Sequence, residues 1–259
     1  MTNARFLVSL LLALLLTGCE RDAEPSPEPA ETTKPPETMR KPAVAQSQSA
    51  TRRELLKVID SLAESSRSSA SDLRQAVESY VRKPSPESRQ SALAAWQQAH
   101  DHIMMWQWLR SLDLYDPVLD LNQLDDPVKH SIWSRLDQYP MLPGYLDAVP
   151  GYPTSGLVHM ETPVTLEQLN LEHQFSDAAY VALGYHALEF LLTGGDNSGA
   201  RHEDFAALPN EKLDPLRNPR LRRSLYALQL AKQIDDDTRT LIAAWSQQEG
   251  SSRQSLTNL

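Results

Sequence analysis

The chain has 259 residues, with 25 Lys and Arg against 34 Asp and Glu for a formal net charge of −9, and it contains one cysteine. An acidic balance of this size speaks against nucleic acid and against a basic membrane-binding face, and it leaves open the attraction of metal cations. The lone cysteine excludes an internal disulfide and a thiolate metal site.

Residues 1–18 read as an export signal. Arg5 precedes the apolar run "FLVSLLLALLL", which is too short and wrongly flanked for a transmembrane helix. The following "LTGC", Leu16 to Cys19, resembles the lipobox of bacterial lipoproteins. By that resemblance Cys19 is the first mature residue and carries lipid. Glu20 rather than aspartate follows it, which by the usual sorting rule implies the periplasmic face of an outer membrane. Residues 19–50 are rich in proline and charge and lack aromatic residues, so they are expected to form a disordered tether with a reach of about 30 Å. The folded domain is placed at 51–249, with a flexible tail at 250–259.

Within the domain the hydrophobic period is helical. A first helix is predicted over 52–83, interrupted by "ESSRSSAS". Ser85 and Pro86 predict the start of a second, carrying Leu93, Trp96, Ala99, Ile103 and Met104 and ending near "SLDLYDP". A third is expected from Ser176 or Asp177 to Gly194, and a fourth from about Pro219 to Trp245. No alternating strand pattern is present. The fold class is therefore all-α, a four-helix up-and-down-type bundle. Its unusual part is a connection over 112–175, too long for a plain loop. Interleaved aromatic and turn-forming residues mark it as an ordered crossover, with a short helix candidate in "DPVKHSIWSRLDQY".

The chemistry concentrates in "GYHALEFLLTGGD", where His186 and Glu189 are the strongly polar residues of a nearly all-apolar helix. Residues three apart share a helix face, so both side chains point the same way. A buried carboxylate must find a cation, donors or a proton. Gly184 costs a helix roughly 1 kcal/mol relative to alanine, which signals a close backbone approach. On the residues alone three readings stand: a structural His–Glu pair in a partner-binding module, a divalent metal site (iron, zinc or copper), or a catalytic centre with metal-bound water.

The stretch "LGYHALEFLLTGGD" resembles the GxHxxE signature of the imelysin family, bacterial cell-envelope proteins classed with metallopeptidases and associated with iron acquisition. The segments "ALAAWQQAH", "LPGYLDAVPGYPTSGLV", "LEHQFSDAAYVAL", "RHEDFAAL" and "RRSLYALQLAKQIDDDTRTLIAAW" agree in order, so the resemblance spans about residues 88–246. It implies that Gly184, His186 and Glu189 are the signature residues. It also implies the first helical half of the longer family members or a compact lipoprotein relative, since the chain ends shortly after Trp245. Gln107 stands at or near the place where the family commonly offers a carboxylate. Further ligands are sought in His100, which shares no face with His102, and in Asp147 of the crossover. His173 reads as a capping residue, His130, His159 and His202 as surface or loop residues, and Trp96, Trp106 and Trp108 as core and interface fillers. The implied function is that of a lipid-anchored envelope protein that binds metal or assists its uptake with envelope transport proteins. The alternative is a metallopeptidase with Glu189 as its catalytic residue.

Overall fold

The computed structural model describes residues 41–112, 131–194 and 199–247. The export signal, Cys19, the first part of the tether, the 250–259 tail, His130 and the aspartates between 113 and 126 lie outside the described residues. The chain divides into compact units at 1–43 and 44–259, and the architecture below is that of the second.

The element order is α1 (Lys41–Arg82), α2 (Pro86–Ser111), α3 (Ile132–Asp137), α4 (Pro143–Leu146), α5 (Leu166–Glu172), α6 (Gly184–Thr193) and α7 (Pro219–Gln247), with 3-10 turns at Leu157–His159 and Gly199–Asp204. There is no strand among the described residues, and no helix there is long and apolar enough to cross a membrane. The all-α expectation is met, with α1, α2, α6 and α7 as its main helices and an ordered crossover over 131–183.

α1 begins inside the segment read as tether, because residues 43–50 contain no proline and can extend the helix N-terminally. "ESSRSSAS" does not interrupt it. Ser66 and Ser69 are buried against α2, where small side chains let the helices approach: Ser66 Oγ accepts the Trp106 Nε1–H at 2.9 Å, and Ser69 Oγ pairs with His102 Nδ1 at 2.8 Å. α2 starts where expected, in a capping box in which Ser85 and Ser88 satisfy each other's backbone N–H. The core joins Leu73, Val77 and Tyr80 of α1, Trp96, Ile103 and Trp106 of α2, Tyr185, Leu188 and Leu191 of α6, and Tyr226, Ile234 and Trp245 of α7. Trp108, expected as a filler, is about half exposed instead.

The largest departure concerns α6, which starts at Gly184 and not at 176 or 177. Gly184 has φ +87°, a left-handed conformation that a continuous helix cannot pass through. Upstream, side chains take over the helical bonding. The Ala182 N–H donates to His173 Nδ1, the Gly184 N–H to Gln233 Oε1, and the Asp177 carboxylate accepts from Ala179. His173 is thus a buried brace for the segment leading into α6, and its Nε2 lies 3.1 Å from Ser134 Oγ.

Candidate metal centre

Three elements converge on one carboxylate. α3 is seated by the buried Ile132, Trp133 and Leu136, and by Arg135, which pairs through two nitrogens with Asp237 of α7 at 2.8 and 3.0 Å. Gly184 then lets the start of α6 rest on the end of α3. A Cβ at 184 would fall 2.6 Å from the Arg135 carbonyl oxygen and closer still to that of Leu136. The close approach read from the glycine is therefore real, and it sets Asp137, the last residue of α3, beside His186. From α2, Trp96 stacks on His100 with ring centroids 4.8 Å apart, and its Nε1–H donates to the Tyr185 carbonyl at 2.8 Å, tying α2 to the first turn of α6.

At the centre, His100 Nε2 and His186 Nε2 each lie 3.0 Å from the same atom, Asp137 Oδ1. Gln107 Nε2 donates to Asp137 Oδ2 at 2.7 Å. Glu189 Oε2 is 3.5 Å from His186 Nδ1. The Asp137 side chain is 5% exposed, His100 13%, His186 21% and Glu189 40%. Burial alone would raise the Asp137 pKa, but the hydrogen bonds and charges of His100 and His186 outweigh it and hold the carboxyl well below its usual range. The bonds to Asp137 and then to Glu189, against the opposing effect of burial, raise the His186 pKa to about 9. A proton held on His186 occupies the electrostatic role that a metal cation would fill.

His100, Asp137 and His186 offer ligand atoms that all lie within 4.8 Å of one another. Ligand atoms held at the usual 2.0–2.2 Å from a first-row metal span at most about 4.4 Å, so the cluster needs only a contraction of a few tenths of an ångström to close on a metal ion. Two imidazoles with one or two carboxylates, leaving open positions, is a donor set that suits ferrous iron or zinc.

The structure thus brings together His186, Glu189, His100 and Gln107 of the residues singled out in the sequence, and it sends His102 to α1. Glu189 is less enclosed than its apolar surroundings implied, because it faces the rim of the cluster. Asp147 requires correction, since it takes no part in this centre. It is fully buried elsewhere, held by Arg223 at 2.6 and 2.8 Å and by Arg201 at 2.6 Å, with His159 at 3.3 Å. Two guanidinium groups leave its oxygens no freedom to ligate a cation. Asp137 is the residue that sequence reasoning missed. Its only mark in the sequence is an acid closing the short amphipathic stretch "SIWSRLD" inside an ordered crossover, with no fixed spacing to the signature. Gln107, at or near the place where the family commonly offers a carboxylate, donates to this one and orients it.

A comparison with curated proteins finds no match. The sequence model of the imelysin family matches residues 58–258, a span that covers most of the folded domain and holds every residue of the cluster. The chain belongs to the imelysin family.

Proposed function

We propose that this imelysin-family domain binds a divalent first-row metal ion, iron foremost, through His100, Asp137 and His186 with Glu189 at the rim, and that it serves metal uptake in the cell envelope from a lipid anchor at Cys19. The observation that carries the reading is the pair of imidazole nitrogens, from two different helices, at 3.0 Å from one carboxylate oxygen. A structural pair would need only one imidazole. The envelope location rests on the signal-like start of the chain, and a lipid tether would let the domain meet a membrane transport protein without lying on the bilayer.

The test is metal content and affinity of the purified full-length protein for ferrous iron under anaerobic conditions and for zinc, beside His186→Ala, Asp137→Asn and His100→Ala. One metal per chain is expected in the wild type, with affinity lowered roughly 100-fold or more in each variant, since even outer-shell partners cost 10–100-fold. Circular dichroism separates loss of ligand from loss of fold. A correctly folded wild type that takes up neither metal would sink the proposal.

Gln107→Glu probes the same centre from outside. The change replaces the 2.7 Å hydrogen bond to Asp137 with two facing carboxylates. The metal-free protein is expected to lose about 1–3 kcal/mol in urea unfolding, the usual range for a bond to a charged group. Added zinc should recover that loss by neutralising the pair. Equal loss with and without metal would place the cation away from Asp137.

One observation favours a second reading, that of a metallopeptidase. Glu189 is the most exposed acid of the cluster and stands off the three converging ligands, as a base acting on metal-bound water would. Cleavage of an unfolded peptide, abolished by a chelator and by Glu189→Ala, would establish it.

A further inference from the structure

Among the described residues, two tyrosine rings flank the imidazoles of the cluster, in opposite settings. Tyr185 lies 5.3 Å from the ring of His100 and is fully buried, so it belongs to the core. Tyr139 lies 5.3 Å from the ring of His186, tilted by 57°, and is 72% exposed. The Tyr139 hydroxyl has no hydrogen-bond partner among the described residues.

The backbone brings Tyr139 to this place by a short route. Asp137 ends α3, and Gln138 after it is extended, with φ −88° and ψ 128°. Across one extended residue the side chains at i and i+2 leave on the same side, so Tyr139 follows the Asp137 carboxylate toward His186. The turn beyond is held by the Leu142 N–H, which donates to the Ala179 carbonyl at 2.9 Å. The backbone is thus fixed while the side chain is not packed. Exposed side chains change rotamer within picoseconds to nanoseconds, so the phenol oxygen is free to turn toward the cluster.

Two imidazoles with one or two carboxylates fill three or four positions of an iron ion, and six-coordinate iron has room for more. A bound metal ion strips the proton from a coordinating thiol and acidifies a bound water, and it acts on a phenol in the same sense. The resulting phenolate is a hard anionic oxygen donor. Such an oxygen suits ferric iron better than it suits ferrous iron or zinc.

We propose that the same cluster accepts trivalent iron as well as a divalent ion, and that Tyr139 supplies the ligand that distinguishes them. Its phenol oxygen bonds the ferric ion beside His100, Asp137 and His186, the O–H bond breaks, and the proton leaves to solvent. No electron is transferred. The proposal rests on the metal reading above and makes Tyr139 the residue that sets the preference between oxidation states.

The experiment loads the full-length protein with ferric ion from its nitrilotriacetate complex, and separately with zinc, for wild type and Tyr139→Phe. The ferric wild type is expected to show a visible phenolate-to-iron charge-transfer band, with tyrosinate vibrations enhanced by excitation into it, while the zinc form stays colourless. Tyr139→Phe keeps the ring against His186 and removes only the oxygen. It should lose the band and at least tenfold in ferric affinity, with zinc affinity within threefold of the wild type. Ferric binding without the band, or a band that survives in Tyr139→Phe, would overturn the proposal. So would equal losses of ferric and zinc affinity, which would make Tyr139 a prop for His186 and not a selector. Zinc binding with no ferric uptake overturns this proposal alone, whereas failure of both metals is failure of the metal reading and takes this proposal with it.

Discussion

Asp147→Asn is expected to destabilise the domain by about 3–5 kcal/mol, the cost of leaving buried charges without their partner. The side chain is fully buried, and it is the point where three parts of the chain are joined. Asp147 follows α4 in the crossover, Arg201 belongs to the Gly199–Asp204 turn, and Arg223 lies in α7. Arg201 also donates from Nε to the Leu191 carbonyl at 3.1 Å, so the lock reaches the end of α6. Asparagine keeps the shape but removes the charge that both guanidinium groups face. Urea unfolding of wild type and variant measures the loss, and a double variant with Arg223→Met should recover part of it, because fewer buried charges are then unmatched. The pH dependence follows with a definite sign. Burial would raise the Asp147 pKa, but the hydrogen bonds and charge of Arg223, then the charge of Arg201, prevail and depress it below the usual carboxylate value. Its contribution is therefore present above the unfolded-state pKa and is lost as pH falls through the folded value. The wild type should lose stability on acidification faster than Asp147→Asn does. A variant as stable as the wild type at neutral pH would show that the lock is dispensable.

Gly184→Ala is expected to cost about 2–5 kcal/mol, combining a left-handed conformation for a non-glycine residue with forced overpacking. The clashing atoms are the backbone carbonyl oxygens of Arg135 and Leu136, which cannot swing aside as a side-chain tip would. Relief requires α3 to move away from α6, and Asp137 moves with it. Metal affinity should therefore fall at least tenfold even under conditions where the variant is fully folded, although Gly184 contributes no ligand. A folded Gly184→Ala protein with wild-type metal affinity would show that the α3–α6 spacing does not set the centre.

The signature pair was legible because helical spacing alone puts His186 and Glu189 on one face, and His100 was legible as one of two histidines that cannot both face inward. Each inference needed only the local period of one element. Asp137 and the true place of Asp147 were not legible for a shared reason. Both acids sit in the long crossover, where no period links sequence position to direction. One of them meets two imidazoles and the other two guanidinium groups, and nothing in their neighbouring residues distinguishes the outcomes. The start of α6 was misplaced because "SDAAYVAL" has ordinary helical residues. Only the side chains of His173 and Gln233, distant in sequence, draw its N–H groups away from helical bonding.

By itself the sequence determined the all-helical class, the capped start of α2 and the span of α7, since each follows from local propensity, period or capping chemistry, while the GxHxxE stretch was placed by its resemblance to the imelysin signature. Tertiary structure decided which carboxylate joins the histidines. Three chain segments must pack before the end of α3 meets α6, and that meeting depends on a left-handed glycine, on an Arg135–Asp237 pair about a hundred residues apart in sequence, and on the stacking of Trp96 against His100.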